Sequence, residues 1–447
     1  MSDGVAEGRA PRSPAQVLRR DRPTEARGQP RSLWAATATS VDPFPTLREG
    51  QRAEVAVIGG GYTGCSAALY LAERGVDTVL LEALEPGFGA SGRNGGQVIP
   101  SFKFDPDEVA DRYGPILAET LLETVGGSAD LVFSLIEKHR IDCGARRTGW
   151  IQAASSASEL ATAARRVSLW RRRGASVEEL DAGAIAGLTG TLRYGGGWID
   201  RRAGNIQPLS YCLGLARAAN GAGARLYQSS QVFSMDPHGS GWRLTTPGGH
   251  VLAERVIIAT NGYTDALWPG LRQSVIPLHS VQVATEPLAE PLRRQILPGG
   301  QSVATMGRIV TYFRLDRDGR LVIGTRGPSR DHLRERDTRS LKAAARSLFP
   351  QLRSVAFEFE WTGRVAMTPD HLPHLHELAH GVYAGLGYNG RGIAMATVMG
   401  RALAQRAVDS PDAHYPVTPL KPMRFHTFHR PVVQGLVAYY RLRDRIG

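Results

Sequence analysis

The sequence predicts an α/β protein in which a parallel sheet is combined with an inserted α+β domain built on an antiparallel sheet. An apolar strand at 54–58 is followed by a glycine turn, a helix and a second strand. Similar strand-and-turn segments return much later, at 255–262 and 382–392. The segments between them are helical or strand-like in their apolar spacing. With 447 residues, the chain is long enough for two or three domains.

Composition places the chain among globular proteins, with two deviations. Hydrophobic residues make up 42% and charged residues 21%, which excludes a disordered or collagen-like chain. Glycine is in excess, with 51 residues. The net charge of +12 would suit a nucleic-acid-binding protein. However, residues 1–32 contain seven Arg against four acidic residues, and 401–447 contain eight basic residues against three acidic ones. Because the charge lies mostly at the chain ends, we expect no nucleic-acid partner.

Cysteine usage and hydropathy indicate the compartment. Cys65, Cys143 and Cys212 are far apart and odd in number, which argues against a disulfide framework and favours a reducing compartment. No apolar run approaches the roughly 20 residues of a membrane span, and the Arg-rich N-terminus lacks the apolar core of a secretory signal. We therefore expect a cytoplasmic protein without membrane contact, with a disordered extension at 1–32.

The first strands carry a dinucleotide-binding pattern. Glu54–Ile58 has the composition of a buried strand, the turn 59–64 opens a helix over 65–74, and a second strand ends in Glu82. In such units the glycines let the backbone approach a pyrophosphate, free N–H groups at the helix N-terminus hold the phosphates, and the acidic residue binds the ribose. The residues expected to form this part of the site are Gly59, Gly61, Tyr62, Thr63, Gly64, Glu82 and Ala83.

A second glycine-rich block follows at 87–97, where a classical NAD-binding domain would continue with regular βα units. Its sequence is Gly-Phe-Gly-Ala-Ser-Gly-Arg-Asn-Gly-Gly-Gln. The block favours FAD over NAD, and the carboxylate of Glu82 disfavours the 2′-phosphate of NADP. The expected cofactor contacts in this block are Ser91, Gly92, Arg93, Asn94, Gly95, Gly96 and Gln97.

These motifs resemble the flavoprotein family of D-amino-acid oxidase, sarcosine oxidase and glycine oxidase, and the block 87–97 is similar to that of the gamma-glutamylputrescine oxidase-like branch. The resemblance covers about residues 32–410. It implies a Rossmann-type, glutathione-reductase-like domain through which FAD runs extended. Some families of this type attach FAD through His or Cys. Because the block carries Ser91 and Arg93 instead, we expect non-covalent FAD.

Two distant segments are expected to return to the cofactor. A strand at 230–235 matches the segment whose backbone meets adenine in the family, and a strand at 255–261 leads into a small-residue turn. Near the C-terminus, the turn 385–392 precedes a helix over 393–407, whose N-terminus the family places at the flavin N1/O2 edge. A helix dipole there stabilises the charge of the reduced flavin. The expected contacts are Val232, Thr260, Asn261, Gly262, Gly387, Tyr388, Asn389, Gly390, Arg391 and Gly392.

The chain is expected to divide into an FAD-binding domain and a substrate domain laid over the flavin. The expected ranges are 50–104, 201–272 and 363–410 for the discontinuous FAD-binding domain, 105–200 and 273–362 for the substrate domain, and 411–447 for a basic C-terminal segment. Amphipathic helical stretches are predicted at Asp107–His139 and Ser158–Arg173. His371, His374 and His376 match no common zinc spacing and are expected in a loop beside the cofactor, so no metal is expected.

Because the flavin is the reacting group, the protein should supply a lined pocket rather than a nucleophile. Lys103, the only lysine near a flavin motif, is expected to assist amine or oxygen chemistry, with an exposed loop lysine as the alternative. Tyr312 and Arg314 share one face of a strand. Arg314 would clamp a substrate carboxylate or form a surface pair. Trp361 is expected to be a wall of the site or a core residue, and His279 to face the cavity from a strand.

The leading functional hypothesis is oxidation of a C–N bond in a primary or secondary amine or an amino acid derivative. Hydride would pass to flavin N5, the imine would hydrolyse, and O2 would reoxidise the flavin to give H2O2. Three alternatives remain open. They are a dehydrogenase that passes electrons to a quinone or carrier, with 425–445 touching an anionic membrane surface, a tRNA-modifying flavoprotein, and a flavin-binding protein without catalytic activity.

Overall fold

The computed structural model describes residues 32–429 except 308 and 329, together with 431 and 435. Of the extension predicted at 1–32, residues 1–31 lie outside the described residues, as do nearly all of 430–447, while Ser32 caps the first helix. The helices are α1 Leu33–Thr37, α2 Tyr62–Ala72, α3 Pro106–Tyr113, α4 Pro115–Gly126, α5 Ser128–Lys138, α6 Ala157–Arg172, α7 Ala182–Thr189, α8 Pro208–Gly221, α9 Glu290–Arg293, α10 Glu335–Leu348 and α11 Gly392–Ala407.

The strands belong to two large sheets and one small pair. They are β1 Gln51–Ile58, β2 Thr78–Leu81, β3 Gln97–Val98, β4 Trp150–Ala154, β5 Val177–Leu180, β6 Gly196–Asp200, β7 Gly204–Asn205, β8 Arg225–Tyr227, β9 Ser234–His238, β10 Gly241–Thr246, β11 Gly249–Ile258, β12 Ile276–Thr285, β13 Ser302–Thr305, β14 Tyr312–Leu315, β15 Leu321–Arg326, β16 Phe357–Met367, β17 His374–Ala379 and β18 Val382–Leu386.

The first sheet contains the glycine-turn strands. Its order is β17-β18-β11-β1-β2-β8, and a hairpin of β10 and β9 extends from β11. The pairs β1–β2, β1–β11, β2–β8 and β11–β18 are parallel. Helices α2, α8 and α11 cover one face, where residues of α2 and α11 are almost fully buried. Burial on both faces explains why Val55–Ile58 of β1 and Val79–Leu81 of β2 are continuous apolar runs.

The second sheet is mostly antiparallel and has the order β16-β12-β15-β14-β13-β4-β6-β5. One of its faces packs under α10 and α7, with Phe313 and Ile323 in that core. The other face is turned toward the first sheet and its glycine turns. Strand β16 continues to Met367, beyond the boundary expected at 362, because it remains paired with β12 as far as Ile276.

Three local expectations need correction. The helical stretch predicted over 107–139 is broken into α3, α4 and α5, because Gly114 has φ 74° and Pro115 begins the next helix. The strand predicted from 230 begins only at Ser234. His374 and His376 lie on β17 rather than in a loop, since their strand pairs with β18. No cluster of potential metal ligands occurs among the residues that the structure describes.

Helix length and hydropathy also bear on membrane insertion. Among residues 32–429, apart from the two gaps, no helix has the length and apolar character needed to cross a bilayer.

Candidate active site

The first glycine turn lies between β1 and α2. Gly59 has φ 106°, a conformation that side-chain-bearing residues rarely adopt. A Cβ on Gly64 would stand 1.9 Å from the carbonyl oxygen of Gly59, so the helix can start this close only with glycine. No acidic side chain or N-cap side chain covers the start of α2. Within the described residues, the amides of Gly61 and Thr63 have no partner, so the turn offers donors to an anion.

Glu82 closes the turn from the end of β2. Its Oε2 accepts from the amide of Gly60 at 2.6 Å, and its Oε1 accepts from the amide of Leu84 at 2.9 Å. Burial raises the pKa of the Glu82 carboxyl, and these backbone donors oppose that shift. Each carboxylate oxygen has a further lone pair. The position therefore suits a second donor such as a ribose hydroxyl.

The second glycine block docks on the N-terminus of α2. Ser91 Oγ accepts from the amide of Tyr62 at 3.0 Å, and the Tyr62 hydroxyl donates to the carbonyl of Ser91 at 2.7 Å. Asn94 Nδ2 donates to the Tyr62 hydroxyl, and Asn94 Oδ1 accepts from the amide of Gly96. Ser91 and Asn94 of this block therefore shape the loop and dock it on α2 through their contacts with Tyr62 and Gly96.

Trp361 is part of the core under this block. It is 2% exposed and its ring lies edge-on to Trp34, with centroids 5.7 Å apart. Its Nε1 donates to the carbonyl of Arg93 at 3.1 Å, and Gln282 Nε2 donates to the same oxygen. Of the two roles expected for Trp361, the structure favours the core residue, because its only polar atom holds the glycine block in place.

The two distant turns meet the first one. Asn261, which has φ 42°, accepts from the amide of Gly387 through Oδ1 at 2.9 Å. The hydroxyls of Tyr388 and Thr63 are 2.6 Å apart, which joins the C-terminal turn to α2. Val232 is buried two residues after Ser230, whose amide donates to the carbonyl of Glu82. Segments that are hundreds of residues apart in sequence thus line one continuous edge of the first sheet.

The C-terminal turn presents a second open helix start. Gly390 has φ 85°, and an added Cβ on Gly390 or Gly392 would meet nothing within 4 Å. Asn389 stiffens the turn, because its Oδ1 accepts from the amide of Thr368 at 3.0 Å. Helix α11 has neither an acidic first turn nor a side-chain cap. Its free N–H groups face open space and suit a group that becomes negatively charged.

Arg314 does not serve as a carboxylate clamp. It is 3% exposed, and its guanidinium donates to the carbonyls of Gly95 and Ile206, each at 2.7 Å, and to that of Leu315. The group also lies 4.8 Å from the centroid of the Trp34 ring. Backbone carbonyls therefore occupy the donors that a substrate carboxylate would need, and Arg314 joins the glycine block to β14.

We expect Arg314→Leu to lower the stability of the protein and leave substrate binding in place. The substitution strands three buried carbonyl acceptors, for which a cost of about 3 kcal/mol is reasonable. Chemical unfolding of the FAD-loaded protein should report this loss, while the apparent KM stays within about twofold. A tenfold increase in KM without loss of stability would instead indicate that Arg314 binds the substrate carboxylate.

Tyr312 and His279 lie on opposite faces of the second sheet. The Tyr312 hydroxyl is 2.6 Å from Ser280 Oγ, and its ring packs on Gly95, where a Cβ would clash at 2.7 Å. His279 precedes Ser280 on β12, so strand alternation turns it to the other face, where its Nε2 is 2.8 Å from a carboxylate oxygen of Asp331. The expectation that His279 faces the cavity is therefore not met.

Lys103 lies among other cations near the C-terminal turn. Phe102 and Phe104 anchor the backbone on either side of it, while the Lys103 side chain is exposed. Desolvation by the surrounding chain, together with the charges of Arg391 and Arg326, lowers the pKa of Lys103 to about 8. The Lys103 side chain is thus open to solvent and close to the positive charges of Arg391 and Arg326. Arg326, which the sequence analysis did not select, lies at the end of β15.

Together these features suit an extended dinucleotide. The turn 59–64 offers free amides, Glu82 offers acceptors, Val232 offers buried backbone, and the turn 387–392 offers a helix N-terminus at the far end. The described residues therefore fit FAD along one edge of the first sheet.

The chain is similar over most of its length to gamma-glutamylputrescine oxidoreductase of Escherichia coli (strain K12). The identity is 35% over 432 residues, covering 93% of this chain and 98% of the relative. Glycine oxidase of Geobacillus kaustophilus (strain HTA426) is 27% identical over 369 residues, covering 79% of this chain and 92% of the relative.

The fold agrees with that of a solved structure. The crystal structure of glycine oxidase from Geobacillus kaustophilus matches 82% of this chain and 99% of that chain, with a TM-score of 0.71 and 24% identity. A family profile described as FAD dependent oxidoreductase matches residues 54–406. The family resemblance and the FAD cofactor expected from the sequence are thereby confirmed, and the chain belongs to the FAD-dependent oxidoreductase family.

Proposed function

We propose that this protein oxidises the C–N bond of a primary or secondary amine, with a gamma-glutamylputrescine-like compound as substrate and O2 as the final acceptor. The observation that carries the proposal is the convergence of the glycine turns 59–64, 87–96 and 387–392, with Lys103 near Arg391 of the last turn. The 35% identity to gamma-glutamylputrescine oxidoreductase supports the substrate class.

FAD, when bound, supplies the acceptor for the hydride that leaves the carbon next to the amine nitrogen. The protein binds and orients this cofactor. The free amides of Gly61 and Thr63 would hold the pyrophosphate, and Glu82 would accept from the ribose. The N-terminus of α11 would stabilise the negative charge of the reduced cofactor. We assign the first sheet to cofactor binding and the second sheet to substrate binding.

Lys103 is the proton acceptor in this proposal. An amine releases hydride readily only when its nitrogen carries a lone pair, so the substrate ammonium must first lose a proton. With a pKa lowered to about 8, Lys103 is partly neutral at neutral pH and can take that proton. The Tyr312 ring packs against Gly95 and would help to exclude water from that side of the site.

The test is anaerobic bleaching of the yellow protein with a panel of amines and amino acids. We expect gamma-glutamylputrescine to reduce the flavin and air to reoxidise it with release of H2O2. Reduction by the amine followed by turnover only with an artificial dye would assign the protein to the carrier-dependent dehydrogenases instead. Failure of every amine to bleach the flavin would contradict amine oxidation itself.

We also expect FAD to be held without a covalent bond. Ser91 Oγ is engaged with the amide of Tyr62, and Cys65 and Cys212 are fully buried with their thiols directed to the carbonyl of Gly60. Acid precipitation should therefore leave the yellow colour in the supernatant. Colour that stays with the precipitated polypeptide would show a covalent link.

A further inference from the structure

Three side-chain donors on one face of the second sheet have no acceptor among the described residues, and two of them, on Trp150 and Arg391, are fully buried. Within the described residues, Nε1 of Trp150 and Nε of Arg391 make no hydrogen bond. The same holds for Nε2 of Gln152, whose hydrogen bonds all go to its other amide atom. Gln152 is only 9% exposed. Buried donors are normally paired, so this wall is built for a group that accepts hydrogen bonds.

These donors are neighbours. Trp150 and Gln152 are two residues apart on β4 and share a face of the sheet. The guanidinium carbon of Arg391 lies 4.9 Å from the centroid of the Trp150 ring. The ring of Trp198, whose Nε1 contacts Gln152, lies edge-on to Trp150 at 5.8 Å. The unpaired groups therefore line one recess between β4 and the C-terminal turn.

The orientation of the Gln152 amide is fixed by its partners. Oε1 accepts from Nη1 of Arg166 at 2.7 Å and from Nε1 of Trp198 at 3.0 Å. Arginine and tryptophan side chains can only donate. The oxygen must therefore face them, and the NH2 group of Gln152 must point away from them, where it is left without a partner.

Arg166 is held in turn by Asp105, which precedes α3. Nε of Arg166 donates to Oδ1 of Asp105 at 2.7 Å, and Asp105 is 4% exposed. Arg165 donates to the other carboxylate oxygen at 3.0 Å but does not contact Gln152. The buried carboxylate of Asp105 therefore holds the guanidinium of Arg166 in position, and Arg166 in turn orients the side-chain amide of Gln152.

The charges around the recess are positive. The charges of Arg391 and Arg326 act on Lys103, and that of Arg166 acts on Arg391. No carboxylate is among the groups that influence Lys103 or Arg391 within the described part of the chain. Donors without acceptors, next to several positively charged side chains, favour an oxygen that is partly or fully negative.

We infer that Gln152 binds an acyl oxygen of the amine substrate, an amide carbonyl or a carboxylate, and that Asp105 and Arg166 are positioning residues for it. The inference deepens the proposed function and rests on it. It makes the recess at Trp150, Gln152 and Arg391 the place where an acylated amine is distinguished from a plain diamine.

Three amines test the inference in anaerobic flavin reduction. Putrescine has no acyl oxygen, N-acetylputrescine has an amide carbonyl, and gamma-glutamylputrescine has a carbonyl and a carboxylate. Gln152→Glu keeps two acceptors for Arg166 and Trp198 but removes the donor and adds a negative charge. We expect kcat/KM for gamma-glutamylputrescine to fall about 100-fold, mainly through KM, while that for putrescine does not fall. If kcat/KM for N-acetylputrescine falls as much as that for gamma-glutamylputrescine, Gln152 binds the amide carbonyl. If it falls less, Gln152 binds the carboxylate of the glutamyl group.

The positioning role is tested with a matched pair of arginines. Arg166→Gln should lower the preference for gamma-glutamylputrescine over putrescine about tenfold, and Arg166→Lys should recover part of it. Arg165→Gln removes a partner of Asp105 without touching Gln152 and should leave the preference unchanged. If Arg166→Gln and Arg165→Gln change the substrate preference equally, Arg166 has only a structural role.

Two results would overturn the inference. One is an equal loss of kcat/KM with all three amines in Gln152→Glu, and the other is a weaker affinity for FAD in that variant, which would place Gln152 against the flavin. Titration with gamma-glutamylbutylamide, which lacks the terminal amine of the putrescine chain, adds a readout that does not depend on oxidation of that amine. The wild type should bind it with a change in flavin absorbance, and Gln152→Glu should bind it about 100-fold more weakly. Failure of the proposed function is distinguishable, because the wild-type flavin would then bleach with none of the amines.

Discussion

Gly64→Ala should abolish FAD binding. The added Cβ would stand 1.9 Å from the carbonyl oxygen of Gly59, a backbone atom that cannot move without displacing the phosphate-binding turn. Helix α2 would have to shift away from β1, and the amides of Gly61 and Thr63 would leave their positions. We expect the purified variant to be colourless and its affinity for added FAD, measured by fluorescence quenching, to fall more than about 100-fold.

Gly187→Ala is the matched control for this prediction. Gly187 also lies within a helix, α7, but an added Cβ there meets nothing within 4 Å. The control should retain FAD and gain a little stability, because alanine favours the helix. Wild-type FAD content in Gly64→Ala would show that the turn tolerates a side chain and would contradict the packing described for α2 and β1.

Lys103→Met should slow amine oxidation about 100-fold, the size of effect that general base catalysis commonly gives. Methionine retains the length of the side chain but cannot accept a proton. Only the neutral form of Lys103 acts as a base, so the wild-type rate of flavin reduction should rise with pH through about 8, the lowered pKa of this group. The variant should lose that rise. Rapid-mixing measurements of flavin reduction from pH 6 to 10 provide the check.

Lys138→Met is the control for Lys103. This lysine is 61% exposed on α5 and pairs with Glu73, away from the glycine turns. Its replacement should change neither the rate nor the pH profile. A Lys103→Met variant that reduces its flavin and releases peroxide at the wild-type rate would return Lys103 to an ordinary loop lysine.

Most of the parallel sheet was predictable from local sequence. Strand β1 and the turn after it were expected at 54–64, and the structure has them at Gln51–Ile58 and Gly59–Gly61. The C-terminal helix was also expected, and α11 begins only one residue earlier than predicted. These elements are predictable because a buried strand, a glycine turn and the helix after it each have a characteristic residue pattern, and the three patterns follow one another directly in the sequence.

The catalytic candidates were less predictable. Arg314 and Tyr312 do share a face, as strand alternation requires, but the carbonyls of Gly95 and Ile206 that occupy Arg314 come from distant parts of the chain. His279 was expected on the cavity side and lies on the opposite face. Gln152 was not selected at all, because a single glutamine in an apolar strand becomes significant only when Arg166 and Trp198 fix its orientation.

The sequence by itself determined the cofactor class and its edge of the sheet, because glycine turns at strand ends are local features with a direct physical reason. It also placed the net charge at the chain ends. Only the tertiary structure decided which polar side chains remain free to act. A buried arginine, tryptophan or glutamine is committed by whatever donors and acceptors the fold brings within about 3 Å, and those partners lie far away in sequence. Arg314 is committed to backbone carbonyls in this way, whereas the amide nitrogen of Gln152 has no partner among the described residues.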